Sequence, residues 1–137
     1  MNEKRAYASL LVKSDVVQVD LIGEMLTPLI GRIQLKDAPI SSRSNASLAS
    51  HSSWTLSTKN SSECPSENSP ISEHIQWIIE RIEGRRKELS QLAANCDIEI
   101  SCFLSTESTN CWFDIPHAMV KKLAEYKIDL VFDVYAS

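Results

Sequence analysis

Glycine is scarce in this chain, with three in 137 residues. That excludes phosphate-cradling loops, which need several glycines at fixed spacing for close backbone approach. The four cysteines, Cys64, Cys96, Cys102 and Cys111, form no Cys-x-x-Cys pair, and His51, His74 and His117 are equally scattered. Zinc sites usually present their ligands in such close pairs, so no metal is expected. No Gly-x-Ser-x-Gly elbow surrounds any serine, which removes the nucleophile turn of α/β-hydrolase chemistry. No catalytic constellation and no cofactor signature stands out. No apolar run approaches the roughly 20 residues that cross a bilayer. The first residues, Met1 to Arg5, are charged, and the apolar stretch after them is interrupted by Lys13 and Asp15. Neither an export signal nor a membrane partner is expected. The expected compartment is the cytoplasm, where thiols stay reduced. Basic charge is also short: 14 Lys and Arg against 18 Asp and Glu give a net charge of -4. A nucleic-acid backbone needs a clustered basic face. The basic cluster Arg85-Arg86-Lys87 lies among Glu80, Glu83 and Glu88 and reads as a solvated helix face.

What is present is ordinary globular material, 43% hydrophobic and 23% charged. Residues 1–137 fit one domain, large enough to bury well over half of its unfolded surface without metal or disulfide. Residues 5–13 form the first strand. Ala6, Ala8, Leu10 and Val12 point one way and Tyr7, Ser9, Leu11 and Lys13 the other. Both faces are fairly apolar, so the strand should be central. Residues 16–30 carry Val17, Leu21, Met25 and Leu29 at fourfold spacing, a helix face that Pro28 ends or kinks.

Residues 40–72 differ in composition. They hold thirteen serines and few large apolar side chains, so they read as a surface excursion that buries too little to offset its ordering entropy. Ser53-Trp54-Thr55-Leu56-Ser57-Thr58 alternates and reads as one strand within it. Pro70 then opens the longest helix, suited to a first turn whose N–H groups lack intrahelical partners. Ile75, Ile78, Ile79, Ile82, Leu89, Leu92 and Ala93 form its apolar stripe. Glu83 and Lys87 stand at favourable i,i+4 spacing, and Asn95 is a suitable left-handed stop.

The last third is the densest in signal. Residues 97–104 alternate polar and apolar, and Cys111-Trp112-Phe113-Asp114-Ile115 reads as a second strand after a short polar turn. Pro116 opens a helix that buries Met119, Val120, Leu123 and Ala124, with Asp114 as a candidate cap. Residues 129–135 close the unit as a strand. The order is therefore β-α-β-α-β-β-α-β. The expected fold is α+β in two layers, a mainly antiparallel sheet with helices packed on one face.

These landmarks resemble a bacterial family known as domain of unknown function 4279. The resemblance rests on the opening strand, Trp54-Thr55-Leu56, the helix from His74 to Leu92 and Ile98-Glu99-Ile100. Phe132-Asp133-Val134-Tyr135 after Leu123-Ala124-Glu125-Tyr126 is the closest part. The serine-rich segment departs from the family's usual glycine- and proline-marked turn. The resemblance implies no enzymatic activity. It implies a role as a bacterial immunity protein, by analogy with small domains encoded beside toxins.

Two groups of side chains are candidates for function. Asp97 and Glu99 share one face of their strand, and Asp129 and Asp133 share one face of theirs. If the strands are neighbours, these carboxylates form a patch opposite the helices, with Phe103, Val131 and Tyr135 as apolar anchors of the same parity. A solvated outer face is the plainer reading; an acidic recognition surface with aromatic anchors is the functional one. Trp77 lies off its helix's isoleucine stripe, as edge packing or as a partner contact. Trp54 and Trp112 read as structural. Cys64 could act as a nucleophile only with a neighbour such as His74 to lower its pKa; an incidental thiol is the simpler reading. Cys102 and Cys111 would face each other across a hairpin, where a reducing compartment keeps them apart as thiols.

The expectation is a non-enzymatic domain that binds a protein partner through Asp97, Glu99, Phe103, Asp129, Val131, Asp133, Tyr135 and Trp77. A basic toxin is the expected kind of partner. The alternative is a small-molecule sensor or enzyme with its site between the sheet and the serine-rich loop. Either is compatible with a homodimer joined at a sheet edge.

Overall fold

The computed structural model describes residues 4–14, 19–29, 31–35, 52–59, 63–107 and 112–136. The strands are β1 (Lys4–Ser14), β2 (Arg32–Gln34), β3 (Ser52–Ser57), β4 (Asp97–Thr106) and β5 (Asp129–Ala136). The helices are α1 (Val19–Met25), α2 (Ile71–Ile82), α3 (Arg86–Ala93) and α4 (His117–Glu125). The fold is α+β. One five-stranded sheet runs β2-β3-β1-β4-β5, antiparallel except for the parallel pair β4–β5.

β1 is central, paired with β3 along one edge and with β4 along the other. Ala6, Ala8, Leu10 and Val12 are buried, while Tyr7, Ser9, Leu11 and Lys13 are half-buried. Its long register with β4, from Lys4↔Thr106 to Lys13↔Asp97, stacks two alternating sequences. Ile98, Ile100, Cys102 and Leu104 join the buried face. α2 packs against β1 on that side. Its Ile75, Ile78, Ile79 and Ile82 are all 0% exposed, each contributing about 1.5–3 kcal/mol by burial.

Several local expectations are corrected. α1 begins at Val19 and buries Ile22, and Leu26 just after it is buried too, while Leu21 is about half exposed (48%). The long helix is broken by a 3-10 turn at Glu83–Arg85, where Gly84 makes a poor helix former. Glu83 therefore pairs with Lys122 of α4 rather than with Lys87, and Glu88 pairs with Arg85 at 3.5 Å. The chain leaves α3 without a left-handed residue at Asn95; Leu92 O accepts both Asn95 N–H and Cys96 N–H. The positive φ falls instead on Lys127, at 59°, between α4 and β5.

Trp112–Ile115 forms no strand. The outer edge of β4 is taken by β5 in parallel, so a hairpin partner has no place there. The segment crosses to α4, which no side chain caps. α4 buries Met119 and Leu123, but Val120 and Ala124 are exposed. A short strand, β2, appears where none was expected. Cys111 lies outside the described residues, so its relation to buried Cys102 does too.

Candidate partner-binding face

A period of two puts alternate residues of each strand on the face away from the helices. The registers give that face its rows. Leu11, Glu99 and Asp129 align across β1, β4 and β5; so do Ser9, Ser101 and Val131, and Tyr7, Phe103 and Asp133. Arg5, Ser105 and Tyr135 form the next row. Asp97, Glu99, Phe103, Asp129, Val131, Asp133 and Tyr135 are thus brought onto one face. Trp77 is not among them.

Three aromatic rings run across this face. Tyr7 and Phe103 stack with centroids 5.5 Å apart, and Phe103 lies 5.5 Å from Tyr135 at a tilt of 40°. Such pairs contribute about 0.5–1.5 kcal/mol beyond area burial. Tyr7 is the ring that sequence reading left out of the site. Its strand parity was legible, but its contact with Phe103 depends on a register between strands ninety-odd residues apart (Tyr7↔Phe103). Tyr7 Oη donates to Glu67 Oε2 at 2.9 Å, and Lys59 Nζ lies 5.2 Å from its ring centroid. The Glu67 carboxylate raises the Tyr7 pKa by accepting that proton, and burial adds to it. Asp133 does the same to Tyr135, accepting its hydroxyl at 3.2 Å.

The carboxylates are not equivalent. Glu99 forms an ion pair with Lys13 and is only 15% exposed. Asp129 and Asp133 are exposed, and neither has a cationic partner among the described residues. The exposed acidic character therefore sits on β5, at the margin of the sheet, and on Asp97 at the start of β4. Among the described residues no strand pairs with the outer edge of β5.

β5 is also open on the helix side. Phe132 and Val134 are exposed there, and Phe132 stacks on Phe113 at 4.9 Å. Trp112 is 76% exposed, against the expectation of a structural role. Trp54 does fill the core, at 1% exposed. Trp77 is half-buried against that core. Its Nε1–H donates to Glu63 O at 3.1 Å, and the Arg81 guanidinium lies 3.9 Å from the ring centroid. It fastens the segment before α2.

The end of the serine-rich excursion is built into the fold. Ala6 N–H donates to Glu67 O at 2.8 Å and Thr58 N–H to Ala8 O at 2.9 Å. Ala8 N–H donates to Thr58 Oγ1 at 3.0 Å. His74 is buried in this network, with Thr58 Oγ1 2.6 Å from Nδ1 and Ser66 O 3.0 Å from Nε2. Because Ser66 O can only accept, Nε2 carries the proton and Nδ1 accepts from Thr58. Burial lowers the His74 pKa. Both ring nitrogens are occupied, so His74 does not serve Cys64, whose Sγ faces Ser57 O at 4.0 Å.

Between the sheet and this segment lies a cleft of about 260 Å³, bounded by Lys4, Arg5, Glu67, Pro70, Leu104 and Trp112 among others. Among the described residues no group of three or more His, Cys, Asp or Glu side chains is placed to hold a metal ion. No described helix is long and apolar enough to cross a membrane.

The family model described as domain of unknown function (DUF4279) matches residues 4–137. The chain belongs to this family. No curated protein and no solved structure matches it. In this DUF4279 chain the match begins at Lys4, the start of β1, and runs through β5.

Proposed function

We propose that this DUF4279 domain binds a protein partner through the β5 side of its sheet. One observation carries the reading. Of the ten large apolar side chains exposed among the described residues, seven lie between positions 112 and 135. Exposed apolar surface concentrated in one region marks an interaction site more often than scattered residues do. Asp129 and Asp133 rim this region, and Tyr135 supplies an aromatic anchor, the arrangement in which a few buried rings hold a complex and charges guide it. Net charge supports a basic partner. In a bacterial cytoplasm that partner would be a toxin, with this chain as its immunity protein; buried, free Cys96 and Cys102 suit a reducing compartment.

The test is a pull-down from the native host with three baits: wild type, Val131→Lys with Tyr135→Ala, and Lys87→Ala on α3. The reading expects one partner retained by wild type and Lys87→Ala and lost from the double variant. Equal retention by all three would remove the β5 side from consideration.

A second reading places a small molecule in the cleft beside Trp112. Lys4 would suit an anionic group, and the tryptophan a planar one, while Arg5 already pairs with Glu67 at 3.9 Å. The cleft is smaller than the roughly 300–1,000 Å³ of ordinary ligand sites, so the partner reading stands first.

A further inference from the structure

We infer that the partner enters as an extended strand with cations at two same-face positions four residues apart, added to the outer edge of β5. This deepens the proposed function and rests on it. Two independent features point to strand addition rather than to docking on a face. β5 exposes apolar side chains on both faces at once: Val131 and Tyr135 on the open face, Phe132 and Val134 on the helix side. A body lying on one face would cover only half of them. A strand laid along the edge flanks both sets, because its own side chains alternate between the same two faces. The edge is also long enough to template pairing: eight residues, Asp129–Ala136, against three in β2 at the opposite edge.

Charge selects the occupant. Side chains directly opposite on paired strands stand about 4.5–5.5 Å apart at Cβ. Residues facing Asp129 and Asp133 are therefore cations, with an apolar or small residue between them against Val131. A second copy of β5 fits poorly. An antiparallel copy centred on Val131 sets Asp129 opposite Asp133, and one centred on Asp133 sets that carboxylate against itself. Centring on Phe132 leaves the two Asp133 carboxylates diagonal neighbours, about 7–8 Å apart.

The experiment uses the full chain and the peptide acetyl-Lys-Val-Thr-Val-Lys-Val-Thr-amide. Two controls accompany it: the same peptide with Glu for both Lys, and the Lys peptide N-methylated at alternate amides. Hydrogen exchange of β5 amides and binding affinity are read. The inference expects the Lys peptide to slow exchange along residues 129–136 and to bind about tenfold tighter than the Glu peptide, from two charge pairs. The N-methylated peptide, unable to complete the ladder, should lose binding. Unchanged exchange with the Lys peptide, or equal binding of the methylated one, overturns strand addition. So does exchange that slows with protein concentration alone, which would assign the edge to a second copy. A silent peptide together with a partner lost from the Val131→Lys, Tyr135→Ala bait overturns this inference alone. If no bait variant loses a partner either, the underlying reading falls.

Discussion

His74 shows how a buried polar side chain ties sequence-distant pieces together. Its ring joins α2 to Thr58 and Ser66, and Thr58 in turn satisfies Ala8 of the central strand. Burial depresses its folded pKa below the ordinary 6.5. The unfolded chain therefore binds the proton first as pH falls. This contribution to stability is full above about pH 6.5 and is lost as pH drops through the folded value. Urea midpoints should fall between about pH 8 and about pH 5.5, and His74→Gln, which cannot titrate, should show a smaller fall over that window. A midpoint slope unchanged by the substitution would contradict the assignment. Gly31 makes a second residue-scale prediction. A Cβ there would overlap the Trp54 ring at Cε2, and Trp54 is locked in the core. Gly31→Ala should cost about 1–3 kcal/mol by overpacking, read as a lower denaturation midpoint. Burial pushes the Cys102 thiol up to about 12, so it should resist thiol reagents near neutral pH until the protein unfolds. None of these partners was legible in the sequence, because each contact is made across the fold. The thiol's burial was, since Cys102 shares parity with Ile98, Ile100 and Leu104.

At the scale of elements, the isoleucine stripe of α2 was readable from spacing alone, and every one of its isoleucines is buried. Ile79→Ala should cost about 2–5 kcal/mol through the cavity it leaves. Phe132, on an alternating apolar strand, reads equally well as core, yet it is 36% exposed. Its partners are Phe113 and an open edge, so Phe132→Ala should cost less than Ile79→Ala: about 0.5–1.5 kcal/mol for the aromatic pair plus only the part of the ring's burial that the open flank leaves. Equal losses in the two variants would mean that the β5 flank is covered. The difference between these residues was hidden because strand periodicity gives a face but not a place in the sheet. That β5 lies outermost, parallel to β4, follows from the crossover through α4. The same crossover explains why Trp112–Ile115 cannot be the hairpin strand its composition suggests.

Across the whole molecule, the open face divides by charge. Arg32, Lys13 and Arg5 lie toward β2 and β1, and Asp97, Glu99, Asp129 and Asp133 toward β4 and β5. Sequence parity gave the carboxylates a common face but could not separate Glu99, which Lys13 already pairs, from Asp129 and Asp133, which stand clear. The latter two are the cleaner probes, since reversing Glu99 would also break an ion pair. Charge of this kind governs encounter more than dissociation. The most direct test is therefore the association rate of the captured partner with wild type and with Asp129→Lys, Asp133→Lys, at two salt concentrations. The account predicts a slower on-rate for the double reversal and a weaker dependence on salt, with unfolding midpoints little changed. An on-rate and salt dependence equal to wild type would show that partner binding does not use the β5 side.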